Sequence, residues 1–364
     1  MDYLNDYRDP KLIAALAARI KAEASRPLNI MEICGGHTHT IMKFGLPQLL
    51  PPQIRFIHGP GCPVCVMPKE RIDHAVALAS QPNTILCTLG DMIRVPGGKI
   101  SLQQARAEGA DVRALYSPLD TLKIASENPD KTVVFFAIGF ETTAPMTAAL
   151  IDRVVVGGVK NLLFHINHIL VPPPVCAIMD DGAAIDAFLG PSHVSVIAGG
   201  DIFLPIAARY QTPIVISGFE PVDMLESVLM IIRQFNEDRR EVENQYSRAV
   251  TPRGNERAKA LMDRYFTPRE TFRWRGLGDI AFSALKLREE YAFLDAERVF
   301  AHCLSNEPID DHKLCLCAQI LKGRAKPTDC KVFGKACTPN SPLGSCMVSS
   351  EGACAAYYRY AQLL

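Results

Sequence analysis

Leu28-Asn29-Ile30-Met31-Glu32-Ile33-Cys34-Gly35-Gly36-His37-Thr38-His39 runs from an apolar stretch directly into two glycines, and that junction sets the fold class. A short apolar run that stops at Gly or Pro reads as a buried strand feeding a loop. Ile54-Arg55-Phe56-Ile57 and His58, followed by Gly59-Pro60-Gly61-Cys62-Pro63-Val64-Cys65, repeat the pattern. Beyond Met67-Pro68, Ile72, Ala75, Val76 and Ala79 recur at helical spacing, so Cys62 and Cys65 fall between a strand end and a helix start. There backbone N–H groups and the helix dipole favour a thiolate. A Cys-x-x-Cys pair so placed can close a disulfide reversibly or hold a soft metal.

Outward from this junction, strands are expected at 28–34, 54–58, 83–89 and 112–116. Helices are expected at 68–80, 101–108 and 119–127, behind an amphipathic lead-in at 11–24 that places Leu12, Ile13, Leu16 and Ile20 on one face. The plan then recurs, with strands at 132–138, 161–166, 194–198 and 213–217 and helices near 143–155, 176–189 and 221–236. Strands alternating with helices argue for parallel sheets covered on both faces. Ile33-Cys34-Gly35-Gly36 answers Ile138-Gly139-Phe140-Glu141, and Cys62-Pro63-Val64-Cys65 answers Pro173-Pro174-Val175-Cys176. Gly90-Asp91-Met92-Ile93 answers Gly200-Asp201-Ile202-Phe203, and Ser117-Pro118-Leu119-Asp120 answers Ser217-Gly218-Phe219-Glu220. These matches read as a duplication. The expected fold is α/β: two similar parallel-sheet domains, 1–128 and 129–248, facing each other across a cleft. A third, mainly helical or irregular domain, 249–364, has helices at 255–265 and 281–292.

Lys+Arg and Asp+Glu both number 39 in 364 residues, which leaves no electrostatic footprint for nucleic acid or an anionic membrane. No apolar run approaches the ~20 residues of a membrane span. The start of the chain, with Asp6, Arg8 and Asp9, has no secretory apolar core, so a cytoplasmic protein is expected. Twelve cysteines in such a chain point to metal or redox chemistry rather than structural disulfides. Cys87, inside Ile85-Leu86-Cys87-Thr88-Leu89, reads as a packed core thiol.

The tail after 320 has few aliphatics, so a metal centre would stand in for a core. Cys315, Cys330, Cys337 and Cys354 are separated by 14, 6 and 16 residues, wider than the tight pairs of zinc modules. Spacing alone leaves zinc and iron–sulfur equally open. Cys317 and Cys346 remain over as packed or bystander thiols. Cys62 and Cys65 read as a redox couple or as iron ligands; a zinc half-site is disfavoured, as no second pair lies near. His37 is preferred to His39 as a group acting beside Cys34. Glu141 starts a strand-to-helix turn, where it either compensates helix charge or faces the cleft with Thr142, His165, His168 and Asp201. Val95-Pro96-Gly97-Gly98-Lys99 lacks the full phosphate-loop pattern, so no classical nucleotide site is expected.

The two opening stretches, with Gly139-Phe140-Glu141-Thr142-Thr143-Ala144-Pro145 and the cysteine-rich tail, resemble the HypD family of [NiFe] hydrogenase maturation factors over essentially the whole chain. The resemblance implies a [4Fe–4S] cluster on Cys315, Cys330, Cys337 and Cys354. It also implies an iron carrying cyanide and CO on Cys34, with Cys62 and Cys65 in redox and iron handling and His37 and Glu141 in the site. The implied partners are a small HypC-like chaperone and a HypE-like cyanide donor, and the implied role is a redox-active scaffold for the Fe(CN)2CO group. An iron–sulfur-dependent thiol–disulfide reductase acting on a protein is the alternative, and a binding module with a structural zinc tail is a third reading.

Overall fold

The computed structural model describes residues 5–360. The extreme ends of the first and third expected domains lie outside them.

The expected strand–helix alternation folds into two parallel sheets. The strands are β1 (Leu28–Glu32), β2 (Ile54–His58), β3 (Thr84–Leu89), β4 (Asp111–Leu115), β5 (Thr132–Gly139), β6 (Leu162–His168), β7 (Ala187–Pro191), β8 (Ile214–Ser217) and β9 (Val242–Asn244). One sheet has the order β2-β1-β7-β8-β9 and the other β4-β3-β5-β6, with every pairing parallel. Counted within each sheet, both orders begin 2-1-3-4, so the two α/β domains are alike. β5 and β6 are buried along nearly their whole length, as sheets covered on both faces require.

The division at 128/129 does not follow these sheets. β1 and β2 share a sheet with β7–β9, and β3–β6 form the second sheet between them in sequence. The strand beginning at 28 therefore has its structural counterpart in β3, not in the strand at 132. The quoted letter matches relate β1 to β5 instead. What those two strands share is position: each borders the point where strand order reverses in its own sheet.

Two expected elements change type. The helix expected over 176–189 is Pro172–Asp180; Gly182, at φ +73°, ends it, with its N–H on the Met179 carbonyl. That frees Ala187–Pro191 to be β7. The expected strand 194–198 is the helix Ser192–Ala198. Its alternating Val194, Val196 and Ala198 imitate a strand, but Ser195 Oγ bonds back to the Pro191 carbonyl one turn earlier.

Strands also persist after residue 250: β10 (Phe266–Pro268), β11 (Thr271–Trp274), β12 (Gly278–Ala281) and β13 (Leu285–Leu287). They form the antiparallel pairs β10–β13 and β11–β12 in place of the helix expected at 281–292. Trp274, fully buried, donates Nε1–H to Ser283 Oγ at 2.8 Å and pins the β12–β13 turn. Tyr265, Phe266, Leu285, Leu287 and Leu294 share the core of the β3–β6 sheet. The cysteine-rich end instead packs against the other domain, where Cys317, Cys346, Met347, Val348 and Cys354 join Met31, Cys62 and Cys65 in one apolar cluster. The last helix, Ala353–Tyr360, lies on the helix Gly35–Lys43, with Tyr360 edge-on to His39. The final third of the chain is thus divided between both sheets. Among the described residues no helix is long and apolar enough to cross a membrane.

Candidate metal and thiol site

In open parallel sheets, groups bind beyond the carboxyl ends of the strands, at the point where strand order reverses. In the larger sheet that point lies between β1 and β7, and Cys34 stands two residues past β1. Cys34 precedes the helix Gly35–Lys43 in extended conformation (φ −148°, ψ 127°), and its carbonyl accepts the His37 N–H at 2.9 Å. The second loop comes up against it. Gly35 donates its N–H to the Gly61 carbonyl at 3.0 Å, and a Cβ on Gly61 would fall 2.3 Å from the Cys34 nitrogen. Only glycine at 61 lets the two loops touch, and this contact brings Cys34 beside the start of Cys62–Cys65. Cys62 caps the short helix Pro63–Val66, its sulfur accepting the Cys65 N–H at 3.3 Å.

Cys34 is 8% exposed. Burial pushes its thiol up, the Glu351 and Glu32 carboxyls push the same way, and the N–H groups of Gly36 and His37 pull against them. The thiol is therefore protonated at neutral pH. His37 is fully buried, with Nε2 3.1 Å from the Ser217 carbonyl. A carbonyl only accepts, so Nε2 carries the proton and Nδ1, which has no partner, keeps a bare lone pair. Burial lowers the His37 pKa to about 4, so the ring is neutral at neutral pH. His39 pairs with Tyr360 across a helix interface, a packing role.

Glu351 was not legible in the sequence. It lies against Gly35, so close that a Cβ there would sit 2.4 Å from the Glu351 Cβ. Burial raises its pKa, followed by the nearby Asp91 and Glu32. The only textual hint is its place three residues before Cys354.

Glu141 follows β5, on the carboxyl edge of the other sheet. It takes the Val171 N–H at 2.9 Å, and burial lifts its pKa to about 7. It lines a separate cavity with Leu170, Pro172, Ile197, Met262 and Lys259, which none of Cys34, Cys62 and Cys65 borders. The imidazoles expected beside it are core groups. His168 bonds Thr147 Oγ1 at 2.8 Å, and His165 meets His74 at 3.3 Å and Asn167 at 2.8 Å. Asp201 is exposed.

All six tail cysteines from Cys315 to Cys354 line one narrow cavity of about 10 Å³, with Ile320, Phe333 and Met347. Cys315, Cys330, Cys337 and Cys354, the four that the family resemblance singles out, are among them. Its walls are apolar, and the Leu343 N–H points at Cys337 Sγ at 3.3 Å, as N–H groups do toward cluster thiolates. Burial drives the Cys354 thiol well up, and Cys317, Cys315, Cys337 and Cys330 around it add to the rise. These thiols, gathered in an apolar cavity, are the donor type a thiophilic metal centre would take as thiolates.

Cys317 and Cys346 are packed in the core, as expected, and against each other. Their sulfurs lie 2.7 Å apart. Cys346 also meets the Cys65 thiol, and hydrogen bonds from Cys317 and then Cys65 hold it below the usual thiol range. Ser345, next to it, donates Oγ–H to the Cys65 carbonyl at 2.6 Å and locks the two loops together. The Arg275 guanidinium, nearly fully buried and ion-paired to Asp311, acts on both Cys317 and Cys346 as a fixed positive charge. Thiol contacts therefore link the tail cavity through Cys317, Cys346 and Cys65 to Cys62. Residues 65 and 346 are too far apart in sequence for any spacing rule to relate them.

Comparison with known proteins identifies the family. The sequence model for HypD, described as the Hydrogenase formation hypA family, matches residues 11–361. The chain is 54% identical over 369 residues to the hydrogenase maturation factor HypD of Azotobacter vinelandii, covering 99% of this chain and 97% of that one. It is 53% identical over 369 residues to the hydrogenase expression/formation protein HupD of Azotobacter chroococcum mcd 1, with the same coverage. It is 45% identical over 370 residues to the HypD of Escherichia coli K12, covering 100% and 99% of the two chains. With every cysteine of the array inside the matched span, the chain belongs to the HypD family of hydrogenase maturation factors.

Proposed function

We propose that this chain is a cytoplasmic scaffold on which an iron ion, held by the Cys34 thiolate, receives cyanide and CO, while the buried sulfur array delivers electrons. The observation that carries this reading is the unbroken line of thiols from the cluster cavity to Cys62, ending at the loop in contact with Cys34. A soft thiolate suits an electron-rich iron bearing cyanide and CO, and the bare Nδ1 of His37 offers a second donor one helical turn away. A HypC-like chaperone sharing the iron and a HypE-like donor of cyanide are the proposed partners.

Cyanide arriving as a thiocyanate needs two electrons and two protons to leave: R–S–CN becomes R–SH and HCN. Oxidation of the Cys62–Cys65 dithiol to a disulfide supplies both. Cys346, held below the usual thiol range, attacks Cys65, breaking the Cys62–Cys65 bond, releasing Cys62 as a thiol and forming a mixed disulfide; Cys317 then attacks Cys346 and releases Cys65 reduced. The Cys317–Cys346 disulfide that remains is opened again by two single electrons. A [4Fe–4S] cluster on Cys315, Cys330, Cys337 and Cys354 would pass those electrons in from an external one-electron donor. A reductase acting on a protein disulfide would use the same thiols but leave Cys34 and His37 idle.

Infrared spectroscopy of the chain co-produced with its partners tests the reading. Wild type should show bound cyanide and CO bands, and Cys34→Ser, folded and still brown, should show none. Full bands in Cys34→Ser would place the iron elsewhere.

A further inference from the structure

Glu32 ends β1 with no exposed surface, and three elements converge on its carboxylate. Oε2 accepts the Cys34 N–H at 3.0 Å. Oε1 accepts the Thr38 hydroxyl, from the helix Gly35–Lys43, and lies 2.9 Å from Nδ1 of His58, the last residue of β2. The Glu32 carbonyl also takes the Gly59 N–H at 2.9 Å. The β1–β2 ladder stops at the Glu32–His58 pair. Beyond it the chains become the two loops that carry Cys34 and Cys62–Cys65, and the regular ladder gives way to single backbone bonds, Gly59 N–H to the Glu32 carbonyl and Gly35 N–H to the Gly61 carbonyl. The carboxylate adds a side-chain tie where the ladder ends. Because it is one rigid group, Cys34 cannot shift relative to His58 without breaking a buried, charge-assisted hydrogen bond. Tyr357, on the helix that contains Cys354, lies edge-on to the His58 ring at 5.4 Å and closes this side.

We propose that Glu32 is a positioning residue that fixes the spacing between Cys34 and the Cys62–Cys65 pair, and so the geometry in which iron on Cys34 meets the dithiol; its second half rests on the iron-holding reading of Cys34. Glu32→Gln keeps size and one acceptor but loses the charge and one of the three bonds. Losing a buried hydrogen-bond partner costs roughly 1–3 kcal/mol, so amide hydrogen exchange should quicken about tenfold or more in both stretches 33–38 and 58–66, leaving 330–337 unchanged. Unchanged exchange in either loop overturns the proposal. Should that variant fail to fold, Thr38→Val and His58→Phe each cut one arm and must quicken exchange in both loops; a rise confined to the mutated stretch overturns it equally. The iron half is read by infrared spectroscopy of protein co-produced with its partners. Glu32→Gln should shift the cyanide and CO bands or weaken them about tenfold at unchanged brown absorbance, whereas identical bands refute positioning. A wild type without such bands would sink the iron reading of Cys34, while the exchange measurement would still decide the tie between the loops.

Discussion

Glu297→Gln tests how the end of the chain is fastened to the β3–β6 sheet. Glu297 is held between two guanidiniums: Arg71 reaches it at 2.9 and 2.6 Å, and Arg269 at 3.4 Å and through a second, shorter bond to Oε1. Both arginines also donate to the Ile166 carbonyl on β6, at 3.1 and 3.2 Å, and Arg71 Nε reaches Asn167 at 2.5 Å. Arg71 lies on the helix that follows the Cys62–Cys65 loop, so one carboxylate joins that helix, β6 and the segment after β13. The amide removes the carboxylate that both guanidiniums contact directly. Breaking a buried pair of this kind costs about 3–5 kcal/mol, which for a chain of this length is on the order of 5–10 °C in Tm. Thermal unfolding followed by circular dichroism reads it, with Arg269→Met added to the variant expected to restore part of the loss. Arg71 and Arg269 hold the carboxyl far below the usual range against the opposing effect of burial. Its contribution is therefore complete above the unfolded value near 4.5 and disappears only as pH falls through the depressed native value. The gap in Tm between wild type and variant should stay constant from pH 8 to 5. A Tm loss under 2 °C at pH 7, or a gap that closes already at pH 6, would refute the reasoning.

Four buried histidines give a second pH signature: burial lowers His37 and His168 to about 4, and also lowers His74 and His165. The unfolded chain takes up their protons near pH 6.5 and the native chain does not, so each costs stability as pH falls below 6.5, at up to ~1.4 kcal/mol per pH unit. Glu32 and Glu141, raised by burial, oppose this between about 4.5 and their native values; denaturant midpoints should still fall from pH 6.5 to 5, and a flat profile would count against neutral histidines. Cys346→Ser should leave iron and sulfide near wild type but stop electrons passing from the reduced cluster to a Cys62–Cys65 disulfide, as read by thiol trapping; a normal rate would remove Cys346 from the path. Cys330→Ala or Cys337→Ala should abolish the brown absorbance, whereas Cys317→Ala should keep it, and the reverse result would reassign the ligands. Arg275→Met withdraws the fixed positive charge near Cys317 and Cys346, so alkylation of these thiols in cluster-free protein should slow several-fold at pH 7; an unchanged rate would make Arg275 purely structural.

The sequence alone determined what depends on neighbours. Apolar runs ending at Gly and Pro placed β1, β2, β3 and β5, because burial periodicity is a local property. The density of cysteines after residue 314 marked out the segment that lines one cavity, and Gly35-Gly36 and Gly59-Pro60-Gly61 marked the two loops that meet. Local reading failed at two places. Gly182 cut a helix short, and the alternating, strand-like stretch at 194–198 became a helix in which the Ser195 hydroxyl bonds back one turn.

Only the tertiary structure decided which strands share a sheet, since parallel pairing joins segments far apart and leaves no mark in the letters of either. It alone seated the β3–β6 domain between β2 and β7, moved Glu141 into a cavity of its own, and divided the last third of the chain between both domains. Cys346 reads as a spare thiol until folding sets it between Cys65 and Cys317. Glu32 reads as one acidic residue at a strand end until folding buries it under Cys34, Thr38 and His58. Both acquire chemistry from partners that three-dimensional packing supplies and linear spacing cannot encode.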